Sequence, residues 1–205
     1  MLGTGTGFGR DYERTRTVSA DLLAQAFAST AGVLSGVDDQ EFDGSTPCAS
    51  WKVRELVNHV VGGTTYFAVT VETGEAPTER DGPDFCEGDF VTEFNRGAAR
   101  AVKAFEADGA MDKTLKLPFG EMPGGVFINM AAIDTFTHGW DLAKATGQST
   151  DLDPGLATQL LGIAEGFLPD ALRGPDGQAP FGPKVDAPAG SCPADRLAAF
   201  MGRQP

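Results

Sequence analysis

Four long stretches of this chain carry apolar residues at intervals of three and four, and that recurrence restricts what it can fold into more than any other feature. Side chains so spaced share one face of an α-helix, so each stretch must bury a stripe against another element. In "VSADLLAQAFASTAGVLSGV" the inward set is Leu22, Leu23, Ala26, Phe27, Val33 and Leu34, with Ser19 placed to cap the start and Gly36 to stop it. A second helix is expected from about Trp51 to Val71, capped by Ser50, with Val53, Leu56, Val57, Val60 and Val61 as its stripe. A third, about Gly88 to Ala107, aligns Phe90, Phe94, Ala98, Val102 and Phe105. A fourth, about Val126 to Thr146, stops at Gly147.

The connecting text supports the same architecture. "TGEAPTERDGPD" is a polar linker, while "TLKLPFGEMPGG" alternates and then turns, which predicts a short β-hairpin before the fourth helix. A fifth helix is expected from Pro154 to Leu172, with Asp153 as its cap, and "PADRLAAFMG" adds a short last one. The fold class is therefore all-α: a four-helix bundle with a hairpin and C-terminal additions. Residues 1–17, rich in Gly and Thr and then charged, read as a flexible arm, and residues 18–203 as a single domain. The "GTGTGFG" of that arm follows no apolar strand, which argues against a dinucleotide loop.

Charge narrows the partners. Sixteen Lys and Arg against 29 Asp and Glu give a net charge of −13, which repels polyanions, so no nucleic acid or membrane partner is expected and a small-molecule substrate is. No apolar run approaches the roughly 20 residues of a bilayer span, and the first residues lack the apolar core of a secretory leader. Cys48, Cys86 and Cys192 are odd in number, far apart and never in a Cys-x-x-Cys pair. They point to a reducing, cytoplasmic setting rather than a disulfide framework or a thiolate zinc cluster.

The chain has two histidines. His138 lies in "DTFTHGWDLAKATG" with Asp134 four residues before it and Asp141 three after, all on one helix face. His59 lies in "VRELVNHVVGG", at the border of the second helix's apolar stripe. Two imidazoles and a carboxylate would leave a divalent ion with open positions, as catalytic metal sites do. The same residues could instead be a helix-face ion pair worth roughly a few tenths of a kcal/mol. Periodicity does not fix the geometry between helices, so the residues alone leave both readings open.

Other positions carry a chemical and a plain reading side by side. Asp141 either orients an imidazole from behind or packs as a helix acid. Arg54 and Asn58 are candidates to bind an anionic cofactor or substrate, or else form a solvated face. Cys48, just before a helix start, is a candidate nucleophile or a small buried residue. Trp51 and Trp140 are expected in the core.

"TPCASWKVRELVNHVVGG" (46–63) and "HGWDLAKATGQ" (138–148) resemble the two signatures of the mycothiol-dependent maleylpyruvate isomerase-like metal-binding family. That family belongs to the DinB/YfiT-like superfamily of four-helix bundles. "TLKLPFGEMPGG" (114–125) and "FGPKV…PADRLAAFMGR" (181–203) are similar to an actinobacterial subgroup, so the resemblance spans most of residues 18–203. It implies a divalent metal, most commonly zinc, held by His59, Asp134 and His138. Asp134 stands where relatives often carry Glu, which makes that arm one methylene shorter. The implied activity is a metal-dependent, mycothiol-linked transferase or isomerase acting on a small electrophilic metabolite. The alternatives are a non-catalytic metal- or small-ligand-binding bundle, and a specialised-pathway enzyme that reuses the same cavity. The resemblance leaves the oligomeric state open.

Overall fold

The computed structural model describes residues 19–49, 51–78, 82–168, 170, 173–174 and 181–205. The expected arm at 1–17 and its "GTGTGFG" lie outside them. Among the described residues the helices are α1 (Ala20–Leu34), α2 (Val53–Thr73), α3 (Phe90–Glu106), α4 (Gly124–Ala145), α5 (Pro154–Phe167) and α6 (Pro193–Phe200). Strands β1 (Thr114–Leu117) and β2 (Gly120–Pro123) form the antiparallel hairpin before α4.

Helices α1 to α4 close into a ring in which α2 packs on α3 and α1 on α4, with α1–α3 and α2–α4 contacts completing it. The result is the all-α, DinB-like four-helix bundle, extended by α5 and α6, which pack on each other and on α4. Two glycines let the helix pairs approach. A Cβ on Gly97 of α3 would fall 1.9 Å from Thr64 Oγ1 of α2, and one on Gly139 of α4 would fall 2.5 Å from Thr30 Oγ1 of α1. Thr30 Oγ1 instead donates a hydrogen bond to the Thr135 carbonyl at 3.0 Å, which ties α1 to α4. Aromatic edges fill the interior, with Phe27 on Phe94 and Phe67 on Phe127, both at 5.8 Å between centroids.

Caps decide where the helices begin. Ser19 Oγ accepts from Leu22 N at 3.3 Å, and Asp153 Oδ1 accepts from Leu156 N at 3.0 Å, as the sequence predicts. Helix α2 starts later than expected, at Val53, and the proposed cap Ser50 lies outside the described residues. Thr46 Oγ1 donates to the Trp51 carbonyl at 2.8 Å and Trp51 N donates to the Cys48 carbonyl at 2.8 Å, so Trp51 belongs to a closed turn before the helix. Glu55 then accepts from Lys52 N at 2.6 Å and fixes the first turn. Helix α3 likewise starts at Phe90, where Asp89 accepts from Thr92 N at 2.9 Å. Helix α4 starts two residues before Val126, because Gly124 N and Gly125 N are held by the Lys113 and Met111 carbonyls. Helix α5 ends at Phe167, short of the expected Leu172, since Leu168 turns extended ahead of Pro169.

No helix among the described residues is long and apolar enough to cross a membrane. Beyond α6, Gly202 adopts φ 88°, and a Cβ there would sit 2.8 Å from Gly182 Cα. That glycine–glycine approach turns the chain back and lays Arg203 against α4.

Candidate metal centre

Neighbouring helices α2 and α4 bring His59, Asp134 and His138 together, with one potential ligand atom of each within 4.8 Å of the others. Asp134 Oδ1 lies 3.5 Å from His138 Nε2, and Asp134 Oδ2 lies 3.9 Å from His59 Nε2. The two imidazoles meet edge to face at 4.8 Å. The His59 and Asp134 side chains are 38% and 42% exposed and that of His138 only 9%, so the group opens to solvent on one side and is anchored on the other. Trp51 sets its indole 4.4 Å from the His59 ring and 5.6 Å from the His138 ring. It is half-buried: it packs against the edge of the core as expected and also lines the group, because the turn before α2 carries it there. Trp140 is in the core as expected and donates from Nε1 to Asp195 Oδ1 at 2.9 Å.

His138 has a second set of partners on its Nδ1 side. Asp141 Oδ2 lies 3.0 Å from Nδ1, and its side chain is fully buried. Arg203 donates to the same carboxylate from Nη2 at 3.0 Å and from Nε at 3.2 and 3.3 Å to its two oxygens. Cys48 Sγ completes the cluster, 3.2 Å from Asp141 Oδ2, 3.3 Å from Arg203 Nη2 and 3.9 Å from His138 Nδ1.

Electrostatics follow from this alternation of charge. Burial would raise the Asp134 carboxyl, but His138, His59 and Arg203 outweigh it and hold it down to about 2. Burial would lower the His138 imidazole, but Asp134 and Asp141, with Cys48, hold it well above its ordinary value. Asp141 is likewise held below the usual carboxylate range, since His138 and Arg203 overcome its desolvation.

The donor chemistry separates two places where a cation could sit. Cys48, His138 and Asp141 are also close enough to share an ion, but the Arg203 guanidinium already places a positive charge among them. On the Nε2 side of His138 the two imidazoles and Asp134 converge, and the Nδ1 side is held by a carboxylate. That is the arrangement in which an imidazole is oriented from behind toward a metal ion. The residues present therefore fit a divalent ion at His59, Asp134 and His138.

Asp141, a candidate to orient an imidazole, stands at hydrogen-bond distance from one. Arg54 and Asn58 are engaged elsewhere. Arg54 donates from Nε to Asp84 Oδ2 at 2.7 Å, Asn58 donates to Asp84 Oδ1 at 2.9 Å, and Asn58 Oδ1 accepts from Phe85 N at 2.7 Å. Together they hold the turn Phe85–Glu87 onto α2. Arg203 escaped sequence reasoning. It lies 62 positions from Asp141 and 155 from Cys48, and its short terminal segment carries no periodic signal.

Residues 23–143 match the family described as Mycothiol maleylpyruvate isomerase N-terminal domain. The matched region contains His59, Asp134, His138 and Asp141 and excludes Arg203. Two proteins of Mycobacterium tuberculosis are similar to the chain: Uncharacterized protein MT0763 of strain CDC 1551 / Oshkosh and Uncharacterized protein Rv0738 of strain ATCC 25618 / H37Rv. Each is 42% identical over 174 residues, which cover 84% of this chain and 91% of the relative. No solved structure matches the chain significantly. With more than half its length matched and such relatives beside it, the chain belongs to the mycothiol maleylpyruvate isomerase N-terminal domain family.

Proposed function

We propose that this protein binds one divalent metal ion, zinc first, through His59, Asp134 and His138. We infer that it serves a thiol-linked transferase or isomerase reaction on a small electrophilic metabolite, with mycothiol as the thiol. The observation that carries the reading is the division of labour at His138. Its Nε2 shares a solvent-open space with Asp134 and His59, while its Nδ1 faces a fully buried carboxylate.

Each side chain has a definable task. His59 and His138 offer imidazole nitrogens and Asp134 a carboxylate held in its ionised form, and binding would release the extra proton that His138 holds. Asp141 keeps the remaining proton on Nδ1. Trp51 shields one face of His59 from water. An ion held by these residues would supply positive charge that favours ionisation of a thiol or water bound beside it. A thiol that adds across a cis double bond permits rotation about the resulting single bond. Elimination of the same thiol then returns the trans isomer, while release of the adduct amounts to transfer.

Asp141 also bears on the rival reading, a metal-binding protein that turns nothing over. In such a protein a fourth side chain, Asp141 or another, could enclose the ion. Asp141 lies instead on the Nδ1 side of His138, away from Asp134 and His59. The open face of the group favours an enzyme.

The test is bound metal measured by elemental mass spectrometry on the untagged protein beside His59→Ala and His138→Ala. Near-stoichiometric zinc, lost in both variants, supports one shared site. Zinc retained in either variant, or absent from the wild type after reconstitution, refutes it. A screen of electrophilic alkenes with mycothiol then separates isomerase from transferase.

A further inference from the structure

We propose that Arg203 is a positioning residue for this centre: it locks Asp141 in the orientation that holds the His138 Nδ1 proton, and so aims Nε2 at Asp134 and His59. The inference rests on the metal-binding reading and adds to it a residue outside the matched family region.

The geometry is specific to a guanidinium. Nε and Nη2 both reach the Asp141 carboxylate, so its plane as well as its position is fixed. Nη2 also reaches Cys48 Sγ at 3.3 Å, and Nη1 donates to the Met201 carbonyl at 3.0 Å, which fixes the guanidinium itself. The backbone beneath is set by the Gly202 turn against Gly182 and by Arg203 N donating to the Ala198 carbonyl at 2.9 Å. Three segments distant in sequence thus meet behind one imidazole: the turn before α2, helix α4 and the chain beyond α6. The side chain of Arg203 is 14% exposed, and it hydrogen-bonds Asp141, Cys48 and the Met201 carbonyl, so it acts through Asp141 rather than as a ligand. A lysine would supply the charge but only one point of contact.

The test has two arms. In the first, zinc affinity is measured at one pH by competition with a chromophoric chelator. The proteins are wild type, Arg203→Met, Arg203→Lys, Asp141→Asn and the double variant Arg203→Met/Asp141→Asn. Arg203→Met is expected to weaken zinc by about 10–100-fold, the range typical of residues that orient a metal ligand. Arg203→Lys should recover part of that loss. The double variant should bind no more weakly than Asp141→Asn alone, because both changes act on one carboxylate. Unchanged affinity in Arg203→Met, or losses that simply add, overturns the proposal.

The second arm is read on metal-free protein, by imidazole proton and nitrogen NMR with His59→Ala for assignment. The His138 Nδ1 proton should be protected from solvent exchange in wild type, exposed in Arg203→Met and intermediate in Arg203→Lys, with helical circular dichroism retained. A wild type that binds no zinc sinks the metal reading yet leaves Arg203 to be judged on this proton. Equal protection in wild type and both Arg203 variants overturns the positioning role.

Discussion

His138 and Asp141 stand 3.0 Å apart on α4, the imidazole with its Nε2 toward the open group and the carboxylate fully buried. A buried carboxylate is tolerated only when its charge is matched, and here His138 and Arg203 match it from two sides.

Removing that carboxylate leaves a mostly buried guanidinium without its partner. Asp141→Ala is expected to lose about 3–5 kcal/mol of stability, the usual cost of breaking such a pair from one side. Asp141→Asn keeps the shape and one acceptor, so it should cost less. The folded Asp141 is held below its unfolded value, which is about 3.9, so its contribution is complete above that pH and fades as pH falls toward the depressed value. Urea unfolding from pH 7 to pH 3 checks this. The gap between wild type and Asp141→Asn should be widest above pH ~4 and narrow below it; a gap that widens in acid contradicts the assignment.

The two close glycines predict different consequences. Gly97→Ala and Gly139→Ala each force a methyl into a threonine side chain on the facing helix, at 1.9 and 2.5 Å from its hydroxyl oxygen. Overpacking of this kind costs about 1–3 kcal/mol, read as a lower urea midpoint. Gly139 adjoins His138, so its variant should also weaken zinc binding severalfold. Gly97 lies on α3, outside the group, and its variant should bind zinc as the wild type does. Equal effects on zinc would show that the centre senses bundle packing generally rather than the α1–α4 spacing.

The part of this architecture visible in the sequence was the part that local chemistry controls. The apolar stripes of α1 to α3, the Ser19 and Asp153 caps and the "TLKL" hairpin are written in neighbouring residues, and the structure places them as expected. The expected α2 start at Trp51 was early because Trp51 belongs to a local turn, with Thr46 holding its carbonyl, and the helix begins at Val53. At the centre, helical spacing put Asp134, His138 and Asp141 on one face. It could not say that His59 on α2 would meet them, and the family resemblance suggested what periodicity could not. Arg203 was illegible for a different reason. Its partners are 62 and 155 positions away, and what delivers it is a glycine contact with no periodic trace.

Cys86 offers a pH test away from the centre. Burial and then the nearby Asp84 carboxylate raise its thiol to about 11, against the opposing pull of Arg54. It should therefore stay a thiol at neutral pH and react slowly with iodoacetamide at pH 8. The rate should climb nearly tenfold per pH unit until pH approaches 11, because the thiolate is the nucleophile. Peptide mass spectrometry resolves Cys86 from Cys48 and Cys192. A rate that levels off near pH 9 would contradict the burial of this thiol.

Trp51 should report the ion directly. Its indole lies 4.4 Å from the His59 ring, whereas Trp140 is buried and hydrogen-bonded to Asp195. A divalent ion drawn to His59 changes the charge and water beside Trp51 and leaves the surroundings of Trp140 nearly as they were. Zinc titration should therefore shift the emission of wild type and of Trp140→Phe, and the midpoint should match the chelator-competition affinity. Trp51→Phe should bind zinc within a fewfold of wild type yet show almost no change in emission, since the indole touches the ligand without being one. If Trp51→Phe keeps the full response and Trp140→Phe loses it, the ion lies on the far side of α4, and the assignment to His59, Asp134 and His138 fails.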